Sequence, residues 1–379
     1  MSKIFMIGDT HLSLGYPNSY HKWFKIHQQY FSEFLIPLLK EKVEEGDIIM
    51  HLGDLFDNRD IIPIEILNYG MNIVEEISKI APFHIIIGNH DLWTRSHSEI
   101  NSVRPFKYIP NVNVYDKTTQ VDFNGLKLCL MPYIESKEEQ IESIKENKNC
   151  DYLFCHSDLN GCRMHLTSVA HKNKNKIDVE EFSNFKKVYS AHIHIRQVSK
   201  NFEFIGSIFQ MDRNDMNDRK GITILDTNDG SSEFIENLIS PEFKKVYLLK
   251  EDDIDKLDQL PEKDFIDLII SNSLLIGNRK IRRKLEVMLE KGIFSSVDYI
   301  DDITEKKELT DEEKQKIEKV LESIDSGDGS KLQINLEYKE LIREYINNLK
   351  YDSEKNKLGI MSEYEEIIKI YEENYTIGE

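Results

Sequence analysis

"FHIIIGNHD" (residues 83–91) is the stretch that decides how this chain is read. Three consecutive isoleucines suit a strand buried on both faces, and the run then breaks into Gly88, Asn89, His90 and Asp91. Strands of that kind belong to parallel sheets covered by helices. The polar residues at the carboxyl end need partners, because polar groups left unpaired beside a core are costly. Four more apolar runs end in the same way: "KIFMIGD" (3–9), continued by Thr10 and His11; "DIIMHLGD" (47–54), continued to Asp57; "DYLFCHSD" (151–158), with His156; and "KVYSAHIH" (187–194), with His192 and His194.

Helical patterns separate the first three runs. Trp23, Ile26, Tyr30, Phe34, Leu35, Leu38 and Leu39 keep a 3.6-residue period, as do Ile66, Tyr69, Ile73, Ile77 and Ile80. Strand alternating with helix predicts a parallel βαβ arrangement. Residues 111–133 read instead as consecutive strands, with Asn124-Gly125 a two-residue hairpin turn, and 194–207 is a second all-strand stretch. The expected class is α/β: mixed sheets flanked by helices over residues 1–240. A small α+β domain, capping or DNA-binding, is expected over 241–304, with the helix of "GNRKIRRKLEVMLEKG" (277–292) between two of its strands. A helical tail follows over 305–379. It opens on a capping-box pair, Thr310 and Glu313, and a Gly/Ser linker crosses 326–330. Such a tail suits a partner's surface, or folds back on its own domain.

Composition narrows the class. With 379 residues, 40% hydrophobic and 31% charged, the chain is long enough for a large core and suits a globular protein. No run approaches the roughly 18 apolar residues of a membrane span. The N-terminal "MSKIFMIGDTH" enters a strand directly, so no signal peptide is expected, and the four cysteines form no CxxC pair. A cytoplasmic protein is expected. The net charge of −19 argues against nucleic acid, but residues 298–379 hold 12 Lys+Arg against 23 Asp+Glu, so −11 of it lies in the last fifth.

All five strand ends carry metal-ligand residue types. Ligands bind outside the carboxyl ends of strands in open α/β sheets, so Asp9, His11, Asp54, Asn89, His156, His192 and His194 can share one site. In extended backbone, residues i and i+2 face the same way, which would aim both members of Asp9-x-His11 and of His192-x-His194 at one centre. Any one pattern alone is commonplace, but five in order are hard to explain as turns. Mixed Asp, Asn and His ligation points to two divalent metals with a carboxylate able to bridge them.

The order DxH, GDxxD, GNHD, H, HxH resembles the calcineurin-like metallophosphoesterases over roughly residues 1–210. Within that superfamily, "HLGDLFDNRD" (51–60), "NVNVYDKTTQVDFNG" (111–125), "HSDLNG" (156–161) and "FIGSIFQMDRNDMNDRKGITILD" (204–226) resemble the double-strand-break-repair nucleases, the bacterial SbcD type, and most of all its T-even-phage recombination nuclease subunit. The resemblance implies a four-layer sandwich and a DNA nuclease, a 3′-to-5′ exonuclease with single-strand endonuclease activity. It implies two manganese ions, with magnesium the alternative: Asp9, His11 and His194 on one, Asn89, His156 and His192 on the other, Asp54 bridging. His90 would face the scissile phosphate, Asp91 would orient His90, and Asp57 would stand behind the ligands. It further implies an SMC-like coiled-coil ATPase bound through the C-terminal helices, and a homodimer for which Trp23, Phe24, Phe31 and Phe34 offer a surface, unless they are core. The family has glycine before the fourth and fifth histidines; here Cys155 and Ala191 stand there, and Cys155 would make the site sensitive to oxidation.

Arg279, Lys280, Arg282, Arg283 and Lys284 form the strongest basic cluster, a candidate for phosphate contact together with Arg213. Lys220, Arg219 and the basic loop 164–176 are weaker candidates. His51 and His84 are expected in sheet packing, and His97, His165 and His171 in polar loops. Trp93 and Tyr133 are candidates for the cleft wall. Two other functions compete: a phosphodiesterase for a small substrate, since one metal site serves many substrates, and a non-catalytic DNA-end-binding subunit. The extra domains argue against the first, the full ligand set against the second.

Overall fold

The structure is a computed structural model describing residues 2–300, apart from 16–19, 95–96, 169, 171, 262, 276–277 and 291–293. β1 (Lys3–Ile7), β2 (Ile48–His51) and β3 (Phe83–Ile86) pair in parallel, as the three apolar runs predict. After β3 comes a short hairpin, β4 (Leu92–Thr94) and β5 (His97–Asn101), and then β6 (Val112–Tyr115), parallel to β3. β7 (Thr119–Phe123) and β8 (Leu126–Met131) form the expected hairpin, with Asn124 and Gly125 both at positive φ, as its two-residue turn requires. β9 (Tyr152–His156) and β10 (Lys187–Ala191) are parallel neighbours, flanked by β11 (Gln197–Ser199) and β12 (Phe202–Phe204). β13 (Gly221–Asp226) returns antiparallel to β1, with β14 (Ser232–Glu236) outside it.

Two six-stranded sheets result, in the orders β14-β13-β1-β2-β3-β6 and β11-β12-β10-β9-β8-β7. The period of two along each strand divides the core. Ile4, Met6, Ile48 and Met50 meet Leu128, Leu130, Phe154 and Tyr189 in one buried layer between the sheets. Phe5, Ile7, Ile49 and Phe83 point the other way, onto α1 (Tyr20–Gln29), α2 (Ile36–Lys42) and α3 (Ile64–Ser78). On the far face, Cys129, Leu153, Cys155 and Val188 pack with Ile144 of α4 (Lys137–Glu146) and with Phe182. This is the metallophosphoesterase-type sandwich of mixed sheets between helices.

One helical pattern is interrupted. Between α1 and α2, Tyr30–Leu35 is π-wound, just before Pro37, which has no N–H for the carbonyl of Glu33. Phe24 and Phe31 are buried, and Trp23 and Phe34 pack against the same core. The aromatic face considered for a dimer is therefore the contact between helix layer and sheet.

β15 (Phe243–Leu248), β16 (Phe265–Ser271) and β17 (Phe294–Ile300) form a three-stranded sheet, with α5 (Asn272–Leu275) and α6 (Arg279–Glu290) between the last two. Phe243 and Phe265 stack at 4.7 Å and join the core beneath Trp23. Met1–Leu166, Ala170–Ile270 and Asn278–Asp298 group as one compact unit. The expected helical tail, 305–379, lies outside the described residues. No helix among the described residues is long and apolar enough to cross a membrane.

Candidate metal centre

The site is built by the loops that leave β1, β2, β3 and β10, together with the last residue of β9. Four of its side chains hang on backbone that L-residues rarely adopt: φ is +49° at Asp9, +44° at His11, +58° at Asp54 and +87° at His192. Left-handed conformations cost a non-glycine residue about 1–3 kcal/mol and collect at functional sites. Asp9-x-His11 and His192-x-His194 thus converge by turning, and not through the extended alternation their spacing suggests. Two glycines make the turns possible. A Cβ on Gly88 would lie 2.3 Å from the Asp54 nitrogen, and one on Gly53, at φ +102°, would lie 2.4 Å from His156 Nδ1.

The seven expected ligands come together in two adjoining groups. Asp9, His11 and His194 form one, with His11 Nε2 and His194 Nε2 3.2 Å apart. In the other, Asn89 Oδ1 lies 3.0 Å from His156 Nε2 and 2.7 Å from His192 Nδ1, and the two histidine nitrogens are 3.2 Å apart. Asp54 Oδ2 stands between, 3.3 Å from His156 Nε2 and 3.8 Å from His11 Nε2. Ligand atoms about 2.1 Å from one cation sit roughly 3 Å from each other, the spacing found here.

The atoms behind these ligands fix which nitrogen each ring presents. His156 Nδ1 donates to the Leu52 carbonyl at 2.8 Å, leaving Nε2 for the centre. Asp57 Oδ1 faces His11 Nδ1 at 3.3 Å. Asp158 Oδ1 faces His192 Nε2 at 3.2 Å, which leaves the Nδ1 lone pair directed at the acceptor Asn89 Oδ1. Two acceptors at 2.7 Å call for a cation or a proton between them. The residues present therefore fit divalent metal.

Two roles differ from expectation. Asp91 does not reach His90: its carboxylate is buried and accepts four backbone N–H groups, from Asp54 (2.8 Å), Gly88 (2.9 Å), Leu55 (3.0 Å) and Phe56 (3.3 Å). It shapes the loop carrying Asp54. His90 is set instead by its own N–H, which donates to Asp54 Oδ1 at 2.7 Å, and by Nδ1, which donates to the Asp57 carbonyl at 2.7 Å. His51 is more than sheet packing. Its Nδ1 accepts from Gly53 N–H and its Nε2 meets Thr10 Oγ1 at 3.1 Å, tying the Asp9 loop to the Asp54 loop.

Residues 2–196, which contain the whole site, match the calcineurin-like phosphoesterase family. The chain belongs to that family. Exonuclease subunit 1 of Enterobacteria phage T4 is 27% identical over 91% of this chain and 92% of its own length. A protein bearing the phosphoesterase name 244L, from invertebrate iridescent virus 6, is 24% identical over 77% of this chain and 95% of its own. Among solved structures, an archaeal phosphodiesterase aligns with 62% of this chain and 99% of its own at 14% identity, with a TM-score of 0.34. As a calcineurin-like phosphoesterase, the protein is a metal-dependent hydrolase.

The phosphoesterase departs from the glycines expected before its fourth and fifth histidines without disturbing the site. Cys155 points to the outer core, opposite in the strand to His156, and burial pushes its thiol up to about 12. It is a packing residue and not an oxidation-sensitive thiolate. The Ala191 methyl abuts Gly8, where a Cβ would come within 2.6 Å of it, so the glycine just after β1 leaves room for that methyl.

Protonation follows the geometry. Burial opposes charge on His11 and His156, but the Asp57 hydrogen bond and Asp54 at the first, and Asp54 at the second, outweigh it and raise both to about 9. Burial and the neighbouring histidine charge lower His192 to about 4, and His194 also lies well below its ordinary value. Each group thus pairs a protonated imidazole with a neutral one, the proton standing where a cation would. Metal must displace these protons. Manganese affinity is expected to climb between pH 6.5 and about 9, by up to tenfold per pH unit per proton displaced. The stability these raised pKa values give the metal-free protein is complete below about pH 6.5 and lost toward 9. Manganese titrations and melts from pH 6.5 to 8.5 check both; a flat affinity would contradict the assignment.

Other candidates fare unevenly. Arg213 is held by Asp267 through two hydrogen bonds, 2.6 and 2.9 Å, and Lys284 pairs with Asp258 at 2.7 Å, so both cations are engaged within the small sheet region. Arg279, Arg282 and Arg283 are exposed on α6; the Lys280 side chain is outside the description. Arg219 pairs with Glu236, and Lys220 is buried between Asp215 and Asp218. Tyr133 lines the site, its ring 5.9 Å from His192 and 6.1 Å from His156, while Trp93 is exposed. His84 stacks on Tyr115 in the sheet, and His165 is half-buried; His171 and the His97 side chain are outside the description.

Proposed function

We propose that this protein is a two-metal DNA nuclease, a 3′-to-5′ exonuclease with single-strand endonuclease activity. It would act at DNA ends in repair or recombination, in the cytoplasm, alongside an SMC-like coiled-coil ATPase. The observation that carries the reading is the likeness to the phage exonuclease subunit across nine-tenths of both chains. Asp9, His11 and His194 would hold one cation, Asn89, His156 and His192 the other, with Asp54 shared. Manganese is proposed, magnesium being the alternative. When bound, the cations supply charge neutralisation for the diester and a water of lowered pKa.

The protein's own groups do the rest. Nδ1 of His90 is committed to the Asp57 carbonyl, so Nε2 is the nitrogen left to meet the phosphate and protonate the leaving oxygen. Asp57 links both rings, through its carboxylate to His11 and its carbonyl to His90. Arg279, Lys280, Arg282 and Arg283 are proposed to contact the DNA backbone, and residues 305–379 to bind the ATPase. A homodimer is the remaining partner proposal, checked by sedimentation.

The deciding experiment gives manganese and an end-labelled linear duplex to the full chain and to one ending at residue 305. The same chains receive bis(p-nitrophenyl) phosphate and a cyclic nucleotide, with EDTA controls. Stepwise shortening by both chains, abolished by chelation, with ATPase capture by the full chain alone, is the expected result. Hydrolysis of the small diesters with intact DNA, even when the ATPase is added, would favour a small-substrate phosphodiesterase instead.

A further inference from the structure

His192 is the ligand with the least ordinary support. Its backbone is left-handed, and its N–H is held by both carboxylate oxygens of Asp9 at 3.1 Å. Its ring orientation rests on Asp158, in the loop after β9, whose Oδ1 lies 3.2 Å from Nε2. The other oxygen, Oδ2, is paired with Lys176 Nζ. Lys176 ends the basic stretch "HKNKNK" (171–176), so a line of contacts runs from that loop through Asp158 to the ring facing Asn89 and His156.

We propose that Asp158 is a positioning residue for His192, held in place by Lys176, and that the pair sets cation affinity at the Asn89–His156–His192 group. This rests on the two-metal reading above. A carboxylate on Nε2 fixes the tautomer with the proton there, so the Nδ1 lone pair faces the cation, and it makes the ring a stronger donor. Asp158 closes the fourth of the five runs, two residues after His156, but is not among the seven ligands expected from them. Its carboxylate is mostly buried, with a side-chain exposure of 14%, and both its oxygens are used within the protein.

The test separates positioning from mere charge. Asp158→Asn keeps the shape, removes the acceptor charge and is expected to weaken one of two manganese sites by about 10–100-fold while the other is unchanged. Lys176→Met removes a positive charge near the same site. Electrostatics alone predicts that it tightens metal binding; loss of the clamp on Asp158 predicts that it weakens it. Manganese stoichiometry and affinities come from calorimetry on the full chain, with dinuclear exchange coupling read by electron paramagnetic resonance and folding checked by circular dichroism. One weakened site in both variants supports the proposal. Two sites of unaltered affinity in Asp158→Asn, or tighter binding in Lys176→Met, would overturn it while leaving the two-metal reading intact. A wild-type chain that takes up no manganese would overturn both.

Discussion

His90→Asn is expected to keep both cations bound and to lower kcat by about 10²–10⁴-fold, with KM nearly unchanged. His90 reaches Asp54 through its backbone N–H, a contact that any side chain preserves. Its ring lies edge-on to His11 at 4.8 Å and donates through Nδ1 to a carbonyl, so removing it breaks no ligand's support. What is lost is the nitrogen placed to protonate the leaving oxygen. An asparagine amide can still donate to the Asp57 carbonyl but has no exchangeable acid near neutral pH. Metal content by calorimetry and steady-state rates on an end-labelled duplex decide the matter. Activity within tenfold of wild type would remove His90 from the chemistry, and loss of metal would make it a structural residue.

The contrast between what the sequence disclosed and what it withheld is physical. The strands themselves were legible because apolar period and length are local properties, and "FHIIIGNHD" carries both the buried run and its polar end; their order in two sheets was not. Residue types at five strand ends sufficed to name the side chains that gather in one place, since parallel strands end on the same side, here in both sheets. The backbone at Asp9, His11, Asp54 and His192 was not legible. Positive φ at a non-glycine residue is imposed by contacts far along the chain, as when His192 N–H meets Asp9 from 183 positions away. For the same reason one supporting carboxylate, Asp91, was misread and another, Asp158, was missed. Asp91 adjoins His90 in sequence, yet three of its four partners are amides 35 to 37 positions back, and Asp158 meets a ring 34 positions ahead. The basic residues misled in the opposite sense: Arg213 looks free until Asp267 is seen beside it. That Gly8 leaves room for the Ala191 methyl was not legible either, because pairing those positions needs the packing of one sheet on the other.

Asp91→Asn should behave unlike His90→Asn, although the residues are neighbours. Each oxygen of Asp91 takes two backbone N–H groups: Oδ2 those of Asp54 and Gly88, Oδ1 those of Leu55 and Phe56. An asparagine must turn its NH2 toward one of these pairs, setting donor against donor in a site that is 1% exposed. Leaving two buried amides unsatisfied costs roughly 2–6 kcal/mol. The wild-type carboxylate is itself under tension: burial and the nearby Asp54 charge push it above the usual range, while the Gly88 and Phe56 amides pull it back. Loss of the clamp releases the loop that holds Asp54 in its left-handed turn, so both cation groups lose their shared ligand. The expected outcome is a Tm lower by at least about 5 °C, weaker binding of both metals, and activity that excess manganese partly restores. Were Asp91 instead the residue that orients His90, the variant would melt like wild type, bind two cations normally and fail only in turnover. Melts with and without manganese, run beside His90→Asn, separate the two accounts: a shared phenotype returns Asp91 to the chemistry, and a divergent one places it under Asp54.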